Sequence, residues 1–125
     1  TTGNQTPTTN TMSKYMFLFR GGMNMPAASP EEIQAYMMKW TQWMQELTKK
    51  GKMLAGEPLD PPGKVLTGKS RKVTDGPFAE GKELVGGYII VEVSGMDEAV
   101  ELSKDCPIFE QEGSLEVRPI REFNL

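Results

Sequence analysis

Three carboxylates, a guanidinium and two aromatic side chains stand where residue type and spacing admit chemistry. Asp75 heads the tetrapeptide Asp75-Gly76-Pro77-Phe78, in which a Gly-Pro pair restricts the backbone and a carboxylate can be held at the edge of a cleft. Glu57 closes the segment KMLAGE (52–57), and it makes an acid/base pair with Asp75 wherever a fold brings the two together in environments that separate their pKa values. Glu116 and Arg118 are two residues apart; on a strand that spacing gives them one face, where the planar guanidinium takes a carboxylate in a two-pronged contact. Tyr88 supplies a phenol that donates or accepts, and Phe78 is an apolar anchor beside the Asp75 turn. Asp75 and Glu57 are therefore the catalytic candidates, and Tyr88, Arg118, Glu116 and Phe78 the ligand-binding candidates. Each also has a structural alternative. Asp75 can shape an Asx-turn, Glu57 can form a rim salt bridge, and Glu116 with Arg118 can form an ion pair between subunits.

What the chain lacks narrows the chemistry further. Its 125 residues include no histidine, so Ser-His-Asp and Cys-His catalysis within one chain are excluded, and any general acid or base is Asp, Glu, Lys, Tyr or Cys. The single Cys106 forms no internal disulfide, and with no histidine beside it the ordinary zinc sites are excluded. No metal and no cofactor is expected. Cys106 precedes Pro107 near a helix C-terminus, where the helix dipole disfavours a thiolate, so it is not a candidate nucleophile. Fourteen basic against 17 acidic side chains give a net charge of −3, without the basic footprint that nucleic acid or an anionic membrane requires. Apolar runs fall short of the roughly 20 residues that span a bilayer, and a cytoplasmic location is the expectation.

The elements that must position these residues follow from pattern. Residues 1–12 are dominated by Thr, Asn, Gln, Gly and Pro and read as a disordered tail; residues 13–125 read as one domain. KYMFLFR (14–20) is a buried strand stopped by Gly21-Gly22. Ser29-Pro30-Glu31-Glu32 opens a helix with an N-cap, a first-turn proline and a capping-box glutamate. Ile33, Met37, Trp40, Met44 and Leu47 form its core stripe, widened by Tyr36 and Trp43. A second strand spans 52–57, and residues 64–67 and 71–74 flank Gly68-Lys69-Ser70 as an exposed hairpin. Asp75 to Phe78 then makes a tight turn. Residues 84–93 (LVGGYIIVEV) are the strongest strand signal. A helix capped by Ser94, with Asp97 three residues on, buries Ala99, Leu102, Ser103 and Cys106 until Pro107, and a last strand runs from 114 to 121.

Without the hairpin the order is strand, helix, strand, strand, helix, strand. This is the ferredoxin-like βαββαβ arrangement of α+β proteins, with both helices on one face of an antiparallel sheet. Alternation places Ile89, Val91 and Val93 beneath the helices and leaves Tyr88, Ile90, Glu92, Glu116 and Arg118 on the bare face. That surface is too apolar for water, and a second copy covers it with a single self-complementary patch, which makes the chain a homodimer.

The segment VTDGPFAEGKELVGGYIIVEV (73–93), together with LAGEPL (54–59) and GSLEVRPI (113–120), resembles the YCII-related family of the DGPF type over about residues 14–121. The resemblance implies a ferredoxin-like subunit with an inserted β-hairpin, a dimeric α/β barrel and kinship with small barrel enzymes of the muconolactone isomerase kind. The His-Asp pair proposed as catalytic in other members does not carry over to a chain without histidine. The expected function is a small homodimeric protein that binds a small ligand or acts as a regulatory accessory domain. The alternative is a histidine-independent isomerase or lyase acting on a small organic acid, with Asp75 or Glu57 as base and Arg118 as clamp. An anionic or carbonyl-bearing ligand is expected where the DGPF loop meets the open face.

Overall fold

The computed structural model describes residues 11–22, 27–60, 62–76 and 83–122. Most of the expected tail, and Phe78 with the rest of 77–82, therefore lie outside the described residues. The elements in chain order are β1 (Ser13–Arg20), α1 (Pro30–Lys49), β2 (Met53–Pro58), β3 (Gly63–Thr67), β4 (Lys72–Gly76), β5 (Val85–Val93), α2 (Met96–Ser103), a 3-10 helix (Pro107–Gln111) and β6 (Ser114–Pro119). Strands β2, β5, β1 and β6 lie side by side in that order, every neighbour antiparallel, while β3 and β4 pair only with each other. Each helix returns the chain to a strand that skips one neighbour, so the subunit is ferredoxin-like α+β, as the element order predicts.

Helix α1 begins as its sequence dictates. The Ser29 side chain accepts from the Glu32 backbone N–H at 3.1 Å, and the Glu32 carboxylate accepts from the Ser29 N–H at 2.8 Å; these two bonds satisfy donors that the first turn leaves open. The second bond holds the Glu32 carboxyl below the usual carboxylate range. The buried stripe is Tyr36, Trp40, Trp43 and Leu47, which corrects the expected phase, for Ile33 and Met37 are each 41% exposed. The two stripes share Trp40 and Leu47, so periodicity alone admits both. Packing separates them, because turning the indoles onto the sheet buries more surface per residue than turning Ile33 and Met37 inward.

Those aromatics join α1 to β1. Phe19 meets Trp40 edge-on at 5.0 Å between ring centroids and Trp43 at 6.1 Å, while Phe17 stacks on Trp43 at 6.2 Å. Ile89, Val91 and Val93 complete the floor. Trp43 donates its indole N–H to the Leu102 carbonyl at 3.1 Å, tying α1 to the end of α2. Gly22, at φ +76°, ends β1 where any side chain would run into Ile108, which is itself fully buried. Glycine is needed there on both grounds.

The second helix differs from expectation. Gly95 is the N-cap and makes no side-chain cap bond; instead Ser94 donates through its N–H at 2.8 Å and its hydroxyl at 2.9 Å to Glu98. The extended Gly95 backbone starts the helix one residue later than the pattern suggests, which brings Glu98 rather than Asp97 within reach. Helix α2 also ends at Ser103, and Pro107 opens the 3-10 helix instead of closing α2.

Two outcomes test this account. Val91 is fully buried, so Val91→Asp is expected to abolish the cooperative melt in circular dichroism, since an unpaired buried charge removes roughly 3–5 kcal/mol from a stability on the order of 5–15 kcal/mol. Ser29→Ala is expected to cost about 1 kcal/mol, read as a lower urea midpoint at unchanged slope; an unaltered midpoint would mean that the cap contributes nothing.

Candidate functional site

Antiparallel register sets which side chains meet on the open face. Glu57, Tyr88, Leu18 and Glu116 form one row across the four strands, and Ala55, Ile90, Met16 and Arg118 form the next. At one edge the Tyr88 hydroxyl donates to the Glu57 carboxylate at 3.2 Å. The bond to Glu57 and its negative charge raise the Tyr88 phenol above its ordinary range. At the other edge Glu116 takes Arg20 as its nearer partner and Arg118 at 3.3 Å as its second. The Arg20 guanidinium, aided by Arg118, holds the Glu116 carboxyl below the usual carboxylate range. Strands lie roughly 4.8 Å apart, so the Glu57 and Glu116 columns stand roughly 14 Å from each other and do not act on one proton.

Arg20 is the open-face partner of Glu116 that reading the sequence missed. Its parity with Met16 and Leu18 was the available signal, for it puts the guanidinium on the open face at the end of β1. Its presence changes the Glu116–Arg118 reading: both partners of Glu116 belong to the same chain, and Arg118 is 64% exposed along its side chain. The other N–H groups of Arg118 find no protein acceptor among the described residues.

Asp75 lies elsewhere. With Gly76 it forms part of β4 rather than opening a turn, and its carboxylate accepts from Lys64 across the hairpin. Cross-strand pairing at Lys64↔Asp75 gives the lysine its place beside the acid. Glu57 is engaged separately with Tyr88, so each carboxylate of the expected catalytic pair has its own partner. Phe78 lies outside the described residues.

A cavity of about 150 Å³ lies on the opposite side of the sheet, between α1 and the β2–β5 edge. Its wall is built from Phe19, Met37, Trp40, Met44, Pro58 and Ile89, with Gly56, Gly86 and Gly87 at the floor. Gly87 pairs with Phe19 in β1 and Gly56 with Ile89 in β5, so both glycines lie on the α1 side of the sheet. A Cβ at Gly56 would meet Ile89 and one at Gly87 the β2 backbone, so the two strands approach closely here and send no side chain toward the helix. Glu57 and Tyr88 also border the cavity, but alternation sends their side chains to the open face and leaves strand backbone here. The cavity is open to solvent on one side, and its apolar volume suits a molecule about the size of benzene. Neither Asp75 nor Arg118 lines it. Glycines inside strands were the available sequence signal, since they mark close approach of a backbone or a ligand.

Burial accounts for two further groups. The Cys106 thiol is pushed up to about 12, which removes it as a nucleophile at neutral pH. The Tyr36 hydroxyl donates to the Gly22 carbonyl at 2.7 Å, and burial raises its phenol despite the neighbouring Trp40 indole. Among the described residues no cluster of three acidic, Cys or His side chains is placed to hold a metal ion. No described helix is long and apolar enough to cross a membrane.

The sequence model of the family described as YCII-related domain matches residues 14–124. An uncharacterized protein of Rhizobium meliloti (strain 1021) is 41% identical over 49 residues, which is 38% of this chain and 40% of that protein. The match thus spans two fifths of the length of that curated relative. Among solved structures, the chain is similar to 5-chloro-2-hydroxyhydroquinone dehydrochlorinase from Burkholderia phenoliruptrix AC1100 in complex with 2,5-dihydroxybenzoquinone, with a TM-score of 0.46, 15% identity, and coverage of 88% of this chain and 95% of that one.

The open-face groups give a pH signature. Glu116 has its carboxyl pKa lowered on folding, so its contribution to stability is present above the ordinary glutamate pKa and is lost as pH falls through the lowered value. The parent is expected to lose melting temperature more steeply than Glu116→Gln between about pH 5 and pH 3. Parallel curves would show that the Arg20 contact does not stabilise the fold. Tyr88 behaves in the opposite sense: its phenol is raised, so its contribution is present below the ordinary tyrosine pKa and disappears as pH climbs through the raised one. Absorbance titration of the parent against Tyr88→Phe should show one phenol fewer ionising at the alkaline end.

Proposed function

The chain belongs to the YCII-related domain family, and on that premise we propose that it is a cytoplasmic homodimeric protein of the DGPF type that binds a small ligand. The observation that carries this reading is the apolar cavity between α1 and the β2–β5 edge. It is an apolar cleft open to solvent on one side, and the glycines of its floor present no side chain to fill it. Met37 and Met44 give it an adaptable wall. The ligand presents a compact apolar body, ring-sized or branched, and a carbonyl at its solvent end suits the strand backbone at the rim. Two copies meet through the open sheet faces, where Met16, Leu18, Tyr88 and Ile90 are only partly covered by their own chain. Glu116 enters that contact already neutralised by Arg20 and Arg118, which lowers the cost of burying it.

A second reading has its own observation. The Tyr88–Glu57 hydrogen bond is a coupled proton donor and acceptor on the open face, and Arg118 retains donors for a carboxylate substrate. This supports a histidine-independent isomerase or lyase in which Glu57 takes a proton, Tyr88 returns one and Arg118 holds the acid group. Asp75, bound to Lys64 on the hairpin, acts in neither reading as these contacts stand.

Thermal shift with a panel of small ring compounds, neutral and carboxylated, separates the two readings. A ligand that binds only the folded state raises the melting point by mass action. Met37→Trp, on the wall of the cavity, is expected to remove the shift given by neutral compounds, while Arg118→Ala and Asp75→Asn keep it. Loss of the shift in Arg118→Ala alone, with carboxylated compounds, would move the site to the open face and favour the enzyme.

A further inference from the structure

The β3–β4 hairpin is the part of the chain that neither reading uses. Its strands pair with each other and with no strand of the main sheet, and no described element of the body packs extensively against it. Two-stranded ribbons are marginal in water when left alone. This one also exposes its apolar pair: Leu66 and Val73 stand directly opposite each other and are 60% and 56% exposed. Alternation puts the Lys64–Asp75 pair on that same face and Val65 and Thr74 on the other. Its turn is closed by Gly68 and Arg71 at positive φ, with the Arg71 N–H donating to the Gly68 carbonyl at 3.1 Å.

Charge indicates what the exposed face meets. Residues 63–76 carry Lys64, Lys69, Arg71 and Lys72 against Asp75 alone, a charge of +3 in a chain whose total is −3, so the remainder carries −6. Much of that negative charge is concentrated from α2 to the end of the 3-10 helix. Glu98, Glu101 and Glu110 there have lysine partners at 3.1, 2.6 and 2.8 Å. Asp97, Asp105 and Glu112 are exposed and have no cation within ion-pair distance among the described residues.

We propose that the hairpin is an arm that lies against a second copy of this chain, its Leu66–Val73 face in contact and its cations paired with Asp97, Asp105 and Glu112 of that copy. The proposal rests on the homodimer reading and assigns the arm a part of it. A two-fold contact of this kind is made twice, once by each arm, so a modest ribbon doubles its effect.

Sedimentation velocity over a range of concentrations, on the full chain, is the test. The parent is expected to sediment as a dimer that weakens at about 1 M salt, where charges are screened within roughly 3 Å. Leu66→Ser with Val73→Ser is expected to raise the dimer dissociation constant at least tenfold, with the melting temperature of the dissociated chain unchanged. Carbodiimide coupling in mixed isotope-labelled dimers is expected to join Lys69 or Lys72 of one chain to Asp97, Asp105 or Glu112 of the other. A parent that stays monomeric would overturn the homodimer reading and the arm with it. A parent dimer left unaffected by the double substitution would overturn the arm alone. A double variant whose monomer melts lower, with couplings confined to one chain, would show that the ribbon packs on its own body and would likewise reject the arm.

Discussion

The contact between the α1 indoles and the phenylalanines of β1 is the constraint on which the rest of this molecule depends. Phe19 against Trp40 at 5.0 Å and Phe17 stacked on Trp43 fix both the rotation of α1 about its axis and its height above the sheet. Edge-on and offset aromatic pairs contribute on the order of 0.5–1.5 kcal/mol each beyond the area they bury. They are also directional, so a helix held by several of them has little freedom to roll. Trp43, bonded to the Leu102 carbonyl, extends the same constraint to the second helix.

The cavity is a consequence of that height. Bulky indoles stand between α1 and the sheet, and Phe17, Phe19, Ile89 and Val91 pack in the core beneath them. At the β2–β5 edge the strands offer Gly56 and Gly87 instead, and the gap between helix and floor stays unfilled. Met37 and Met44 border it because the aromatic phase of the helix turns them to the flank. The position of the candidate binding site is thus set by the phase of one helix and the absence of two side chains.

On the other face, the sheet resolves its charges within the chain. Glu116 is flanked by two guanidiniums and Glu57 by a phenol, and the apolar side chains Leu18, Met16 and Ile90 lie between these two groups. An acid next to Arg20 remains ionised through the neutral range, which suits an ion pair and does not suit a general acid. The Glu57–Tyr88 pair has a different character, a phenol donating a hydrogen bond to a carboxylate. Without histidine, proton transfer in this chain falls to carboxyl, phenol, amine or thiol groups. Its chemistry, where it has any, differs from a His-Asp mechanism in the residue that carries the charge.

The sequence by itself determined the element order, the start of α1, the hairpin and the two faces of β5, because each depends on neighbours in the chain: the Ser29 capping box, the Gly68 turn and the strict alternation from Tyr88 to Val93. Family membership was legible for the same reason, in contiguous motifs such as VTDGPF. The phase of α1, the partnership of Glu116 with Arg20, the separation of Asp75 from Glu57 and the cavity were decided only by the tertiary structure. Each of these depends on residues distant in sequence whose meeting is set by strand register and aromatic packing. Two overlapping stripes on α1 are equal in periodicity and unequal only once Phe17 and Phe19 lie beneath them. Gly56 and Gly87 are set by how closely β2 and β5 approach, and a void has no residues of its own to read.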